Sequence, residues 1–246
     1  MTWPALVLVH GGAHAGDCWD LTVDEIHRLA PDLDVLAVDL PGRRGKPGDL
    51  RTLTIADWVA SVVADIEAAG VRDIVIVGHS MAGLTVPGVV TKLGASRVRE
   101  LILAAACIPP DGAAMVDVVA GPIAMIARRN GKKGAPKKLP PLAARFVFFN
   151  GVPRARRRFM AGRLYPDSSR IPMEKVPRRD IPDEVWRTWI LTLRDRTHSE
   201  REQRESIEAL GGVQTLIPLD TCHGLMVSEP ERLAEILVER CRLYSR

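Results

Sequence analysis

A mostly parallel α/β sheet of about six strands, covered by helices on both faces and interrupted by a helical insertion, is the fold class this 246-residue chain predicts. Three observations predict it. Short aliphatic runs alternate with amphipathic stretches along most of the chain. Several runs, such as ALVLV and IVIV, are apolar at every position, and a strand that hides both faces belongs to a parallel sheet packed between helix layers. Apolar types make up 46% of the residues, enough for a real core in one large domain or two small ones.

ALVLVH (5–10) is the first strand and DCWDLTVDEIHRLA (17–30) the first helix. DVLAVDL (34–40) is a second strand, stopped by Pro41-Gly42. Residues 54–69 form a helix, because Thr54 and Asp57 make a capping box, Ile55, Val59, Val62 and Ile66 share one face, and Gly70 ends it. DIVIVGH (73–79) is the third strand. The following MAGLTVPGVVTKLG is helical, with Pro87-Gly88 expected to kink or weaken it. RELILAAAC (99–107), WILTLRD (189–195) and VQTLIPLD (213–220) supply strands four to six. Ser228 with Glu231 is expected to cap a last helix running through Leu233, Leu237 and Cys241.

Between Pro109 and Asp183 the alternation breaks, over a length too great for a plain connection. The expected organisation is therefore a core made of residues 1–108 and 184–246, with an inserted helical cap at 109–183. Met115–Ile126 and Ala143–Phe149 are too apolar to stay in water, whereas KKGAPKKLPP (132–141) is expected as a mobile loop. The net charge of +4 hides an asymmetry, since 16 basic residues face 3 acidic ones between Ile126 and Asp180. The rest of the chain has 18 basic and 27 acidic residues. A basic cap of this kind would steer anionic substrates; the plainer alternative is a solvated outer surface.

No run reaches ~18 apolar residues, so no membrane span is expected. The N-terminal MTWPALVLVHGG lacks the basic region of a signal peptide. Cys18, Cys107, Cys222 and Cys241 show no metal-ligand spacing and read as buried reduced thiols of a cytoplasmic protein, with a disulfide pair as the alternative.

The chemistry is carried by VGHSMAG, where the third strand turns straight into a helix at Ser80. So sharp a turn crowds the neighbours, and Gly78, Ala82 and Gly83 are small enough to fit. It lifts the hydroxyl to the carboxyl edge of the sheet, where ligands bind in such folds. Alone, the motif also reads as a serine N-cap. His10-Gly11-Gly12, after the first strand, puts flexible backbone at the same edge, so the Gly12 and Met81 N–H groups are candidate oxyanion donors. A phosphate-binding loop is the alternative there, but neither G-x-G-x-x-G nor a Walker lysine is present.

His223 follows the last strand and is the candidate general base, with His198, in a polar segment expected to be exposed, as a weaker competitor. His79 adjoins Ser80 and is expected to point away from it. Asp195, at the end of the fifth strand, is the candidate acid that orients the imidazole. Asp111 and then Asp220 are its rivals, and a turn residue paired with Arg194 or Arg196 is its plain reading.

The order Ser80, Asp195, His223 is that of nucleophile, acid and base in α/β-hydrolases, and the sequence resembles that fold over nearly its whole length. LVHGGAHAGDCW, VLAVDLPGRRG, VGHSMAG and CHGLMVSEPERLAEIL look like the small cofactor-free group holding plant methylesterases, hydroxynitrile lyases and many bacterial esterases. Two features depart from the pattern: Ala82 replaces the usual second elbow glycine, and the hairpin that commonly opens the fold is missing. The resemblance implies cleavage of a small-molecule carboxylic ester through an acyl-enzyme, with no metal or organic cofactor. Lyases of the group carry a threonine beside the loop histidine and a lysine after the catalytic histidine, where this chain has Gly11 and Gly224. A non-catalytic small-molecule receptor is a further alternative. A nucleic-acid partner is not expected, since the basic segment lacks interleaved aromatics, and the sequence selects no oligomeric state.

Overall fold

The computed structural model describes residues 2–131, 134–177 and 180–246, apart from the side chains of residues 121–124 and 126. Its elements in chain order are β1 (Ala5–Val9), α1 (Asp20–Leu29), β2 (Val35–Val38), α2 (Ile55–Ala68), β3 (Ile74–His79), α3 (Val86–Leu93) and β4 (Val98–Ala104). Next come α4 (Met115–Val118), α5 (Gly121–Gly131), β5 (Lys137–Lys138), α6 (Pro141–Val147), α7 (Arg154–Ala161) and β6 (Pro166–Asp167). The chain closes with β7 (Trp186–Thr192), α8 (Glu200–Ala209), β8 (Thr215–Leu219), α9 (Leu225–Ser228) and α10 (Pro230–Arg242).

Six strands make one sheet in the order β2-β1-β3-β4-β7-β8, and every neighbouring pair in it is parallel. This is the six-stranded α/β-hydrolase sheet that the sequence predicts. Side chains alternate across it. Val7, Val9, Ile74 and Ile76 pack with Trp58, Val62 and Val89 of α2 and α3. Leu6, Leu8, Val75 and Val77 pack with Ile26, Leu233 and Leu237 of α1 and α10. β1 and the 74–77 run of β3 are apolar at every position because both faces of the sheet are covered there.

Several local details differ from the sequence expectation. A 3₁₀ turn at Gly16–Trp19 precedes α1. Residues Ser80–Leu84 form a second 3₁₀ turn, and α3 starts at Val86 with Pro87 in its first turn. Proline is tolerated there because the first N–H groups lack intrahelical partners anyway; the helix is divided rather than kinked. Ser228 does not cap α10. It is buried, its hydroxyl lies 2.5 Å from Thr221 Oγ1, and Pro230 opens the helix. A helix the sequence reading passed over, α8, starts from a capping box between Ser199 and Glu202.

Between β4 and β7, Val116, Val119, Ala144 and Phe149 are buried, but Met125 and Phe146 are exposed, so the two apolar runs are covered only on one side. Of the 132–141 run, Lys132 and Lys133 lie outside the described residues, and Lys137–Lys138 pairs antiparallel with Pro166–Asp167. No disulfide joins the four cysteines, all of which are buried. Among the described residues, no helix is long and apolar enough to cross a membrane.

One ion pair ties α10 to the sheet. Glu100, fully buried in β4, accepts from Arg240 Nε at 2.9 Å and from the Thr188 hydroxyl. Burial raises its pKa in spite of the bonds from Arg240 and Thr188. Removing Arg240 leaves an uncompensated buried carboxylate, which typically costs ~3–5 kcal/mol. We expect Arg240→Met to lose about 3 kcal/mol at pH 7 by that rule. Because the folded-state pKa is raised, stability from this group is present at low pH and lost as pH rises. The deficit should therefore shrink towards pH 5 as Glu100 takes up a proton. Urea denaturation at the two pH values measures both effects.

Candidate active site

β3 ends at His79, and the chain reverses at Ser80 with φ of 54°. A side chain on Gly78 would meet Val86 Cγ2 at 2.6 Å, and one on Gly11 would meet Ser80 Cβ at 2.7 Å. One on Gly83 would run into the Cys107 carbonyl. The Cys107 N–H also holds the Ser80 carbonyl at 3.0 Å. The small residues are thus required by the close approach of β1, β3 and the chain after β4.

Ser80, His223 and Asp195 come together from three strand ends. Ser80 Oγ lies 2.8 Å from His223 Nε2, and His223 Nδ1 lies 2.7 Å from Asp195 Oδ2. The Asp195 and His223 side chains are almost fully buried. Asp195 sits three residues past β7, in a turn of its own. Its Oδ1 accepts from the N–H groups of Thr197 and His198 at 2.7 and 2.9 Å, and its Oδ2 from the Thr192 hydroxyl at 3.0 Å. Burial opposes ionisation of this carboxyl. The His223 imidazole and the two N–H donors outweigh it and hold the pKa below the usual carboxylate range. The rival acids go elsewhere, since Asp111 is exposed and exposed Asp220 pairs with Arg194 at 2.9 Å.

Gly12 lies against Met81, where a Cβ on the glycine would touch Met81 Cε at 3.2 Å. Met81 is the second residue of the 3₁₀ turn, and the first N–H groups of such a turn point outward without intrahelical partners. Gly12 thus lies against Met81, the residue that follows Ser80 in the turn. Ala13 is excluded as an oxyanion donor, because its N–H is committed to Asp167 Oδ2 at 2.7 Å.

His223 is held by neighbours that sequence reasoning did not assign. His79 does not simply turn away: its ring lies 4.8 Å from that of His223, and its Nε2–H donates to the His223 carbonyl at 2.9 Å. Phe148 stacks on the His223 ring at 5.3 Å, and its carbonyl accepts from Gly224 N–H at 2.9 Å. His198 is buried rather than exposed, because α8 folds back over it and Gln203 Nε2 binds its carbonyl at 2.9 Å. Burial pushes the imidazoles of His10 and His14 down to about 3 and about 4, and that of His79 well below its ordinary value. All three are neutral at pH 7.

A second unassigned pair supports the glycine loop. Arg43, fully buried, donates to Asp167 Oδ1, while Asp167 Oδ2 accepts from Ala13 N–H. Asp167 thus clamps the loop between β1 and α1 from the β4–β7 segment. Among the described residues, the Nε and Nη1 of Arg43 have no hydrogen-bond partner. The PGRR turn and the YPDSS stretch carry no local signal for this contact, because the two residues are 124 positions apart.

A model of the alpha/beta hydrolase family matches residues 6–236. A carbendazim-hydrolysing esterase of Nocardioides is 26% identical over 142 residues, which span 57% of this chain and 51% of that protein. The match to this relative thus covers about half its length. A pyrethroid hydrolase of Sphingobium wenxiniae is 26% identical over an alignment of 260 positions, covering 97% of this chain and 88% of that one. Among solved structures, an extracellular hydrolase from a Paenibacillus species superposes with a TM-score of 0.79 at 18% identity, over 97% of this chain and 99% of that one. A methylesterase from Arabidopsis superposes with a TM-score of 0.77 at 19% identity, over 98% and 99%. The chain belongs to the alpha/beta hydrolase family.

The Arg43–Asp167 pair yields a measurable coupling. Asp167→Ala strands a buried guanidinium and should cost about 3 kcal/mol, the scale typical of breaking one side of a buried pair. Adding Arg43→Met removes the stranded charge, so the double variant should be more stable than Asp167→Ala alone. Denaturation of the wild type, the two single variants and the double variant completes the cycle.

Proposed function

We propose that the protein hydrolyses small-molecule carboxylic esters through an acyl-enzyme formed on Ser80. The observation that carries this reading is the continuous hydrogen-bonded chain from Ser80 Oγ through His223 to Asp195, with contacts of 2.8 and 2.7 Å. His223 Nε2 takes the proton of Ser80 as Oγ attacks the ester carbonyl. The oxyanion receives hydrogen bonds from the Gly12 and Met81 N–H groups; each such donor typically contributes ~3–4 kcal/mol. The imidazolium returns the proton to the leaving alcohol. Water, deprotonated by His223, then attacks the acyl group and regenerates Ser80. Asp195 stays ionised and fixes the tautomer that presents Nε2 to the hydroxyl.

Segment 109–183 acts as a cap on the core formed by 1–108 and 184–246. Phe148 and Phe149 line its inner side against His223 and Gly224. The ester-hydrolysing relatives named above support the reaction class. The four buried thiols accord with a cytoplasmic setting.

Lyase chemistry on the same fold is disfavoured by space. A Cβ at Gly224 would meet Phe149 Cε1 at 2.6 Å, and one at Gly11 would meet Ser80 Cβ at 2.7 Å. A lysine or threonine at these positions would have to displace Phe149 or the Ser80 turn.

Three outcomes are expected with short aryl esters. Ser80→Ala, His223→Ala and the double variant should be slowed to a similar extent, because the groups act as one unit. Asp195→Asn should lower kcat by about 10⁴, the scale seen when a triad histidine is held in the wrong tautomer, whereas Asp111→Asn should not. Mandelonitrile should release no cyanide above the uncatalysed rate. Steady-state assays on folded variants check all three; full turnover by Ser80→Ala contradicts the proposal, and the reverse ranking of the two aspartates moves the acid to Asp111.

A further inference from the structure

Four arginines of the β4–β7 segment, Arg145, Arg154, Arg157 and Arg158, border one concavity. Two adjoining clefts of about 560 and 420 Å³ share Leu142, Arg145, Phe149 and Arg157. Arg154, Arg158 and the exposed Ala161 border the larger one, and the buried Ala144 and Leu164 give it an apolar base. Volumes of ~300–1,000 Å³ are typical of small-molecule sites.

The arginines here differ from those nearby. Arg156 pairs with Glu231, and Arg163 pairs with Asp20 at 3.1 Å. Arg145, Arg154 and Arg158 have no carboxylate partner among the described residues, and Arg157 directs its Nε to the Val152 carbonyl at 2.7 Å. Unpaired like charges around one cleft repel each other and raise the local concentration of anions. Guanidinium groups bind carboxylate, sulfate and phosphate in a bidentate manner. Leu142 is 80% exposed and Phe146, one helical turn on in α6, is 66% exposed. Apolar groups displayed among unpaired cations match a ligand that has both a tail and an acid.

Phe149 separates this cleft from the Ser80–His223–Asp195 chain. Its ring lines the cleft, lies 5.9 Å from the His14 ring and blocks the space beside Gly224. None of the cleft residues belongs to the hydrogen-bonded chain, so the site does not depend on the ester-hydrolase reading.

We propose that this cleft binds a small amphiphilic anion. Its acid head lies between Arg145, Arg154 and Arg158, and its alkyl or aryl tail lies on Leu142, Phe149 and Leu164. The plain alternative is a solvated arginine surface with no specific ligand. An anionic membrane would also attract basic helices bearing exposed apolar residues. The concave floor favours a single molecule over a flat lipid surface.

Decanoate is a suitable probe. Titration calorimetry on the whole protein should give one saturable site, with decanol and decyltrimethylammonium at least tenfold weaker. Arg145→Glu with Arg158→Glu should weaken decanoate at least tenfold while a short neutral ester is still hydrolysed at the wild-type rate, which shows that the variant is folded. In the wild type, a decanoate with a terminal diazirine should label peptides from 139–165 on irradiation. This labelling needs no variant. Absence of saturation, equal binding of the ammonium probe, labelling on peptides containing Ser80 or His223, or capture only by vesicles containing phosphatidylserine would each overturn the proposal.

Discussion

The left-handed backbone at Ser80 (φ 54°) has a typical cost of ~1–3 kcal/mol for a residue with a side chain, and its surroundings leave it no relaxed alternative. Val86 fills the space next to Gly78, the Cys107 carbonyl sits against Gly83, and Ser80 Cβ itself occupies the space beside Gly11. The Cys107 N–H then fixes the Ser80 carbonyl. This pinning directs the hydroxyl to the carboxyl edge of the sheet and opens the 3₁₀ turn next to it. The positions of His223, Met81 and Gly12 matter only relative to that hydroxyl.

Around the serine, charge is confined to few groups. Asp195 stays ionised because backbone N–H groups and the His223 imidazole offset its burial. His10, His14 and His79 are held neutral by burial. Their roles are positional: His10 Nε2 accepts the Leu40 N–H at 3.1 Å, and His79 fixes the backbone of His223. On the other side of the glycine loop, Asp167 and Arg43 offset each other. A carboxylate can thus stand beside Gly12 without leaving an isolated negative charge near the candidate oxyanion donors.

What the sequence made legible was whatever is encoded locally. The six parallel strands follow from apolar runs, α2 from its capping box, and the meeting of Ser80, Asp195 and His223 from their places at strand ends. Local patterns misled where tertiary contacts compete. Ser228 looks like a helix cap, but its hydroxyl is buried against Thr221 and Pro230 opens the helix. His198 stands in a polar run, yet α8 buries it. That helix was itself readable from Ser199 and Glu202. The Arg43–Asp167 clamp and the Phe148 stack on His223 leave no periodic trace, since each joins the β4–β7 segment to a distant loop.

The central claim is that the strained turn aims Ser80 at a carbonyl held by Gly12 and Met81. Its most direct test is a crystal structure of the protein after reaction with a small alkyl p-nitrophenyl phosphonate, whose tetrahedral phosphorus mimics the attacked ester carbon. The account predicts a bond from phosphorus to Ser80 Oγ and a phosphonyl oxygen ~3 Å from both the Gly12 and Met81 nitrogens. His223 Nε2 should remain within hydrogen-bond reach of the adduct. A phosphonyl oxygen turned to solvent, bound instead by an Ala13 N–H released from Asp167, or carried on another residue would contradict it.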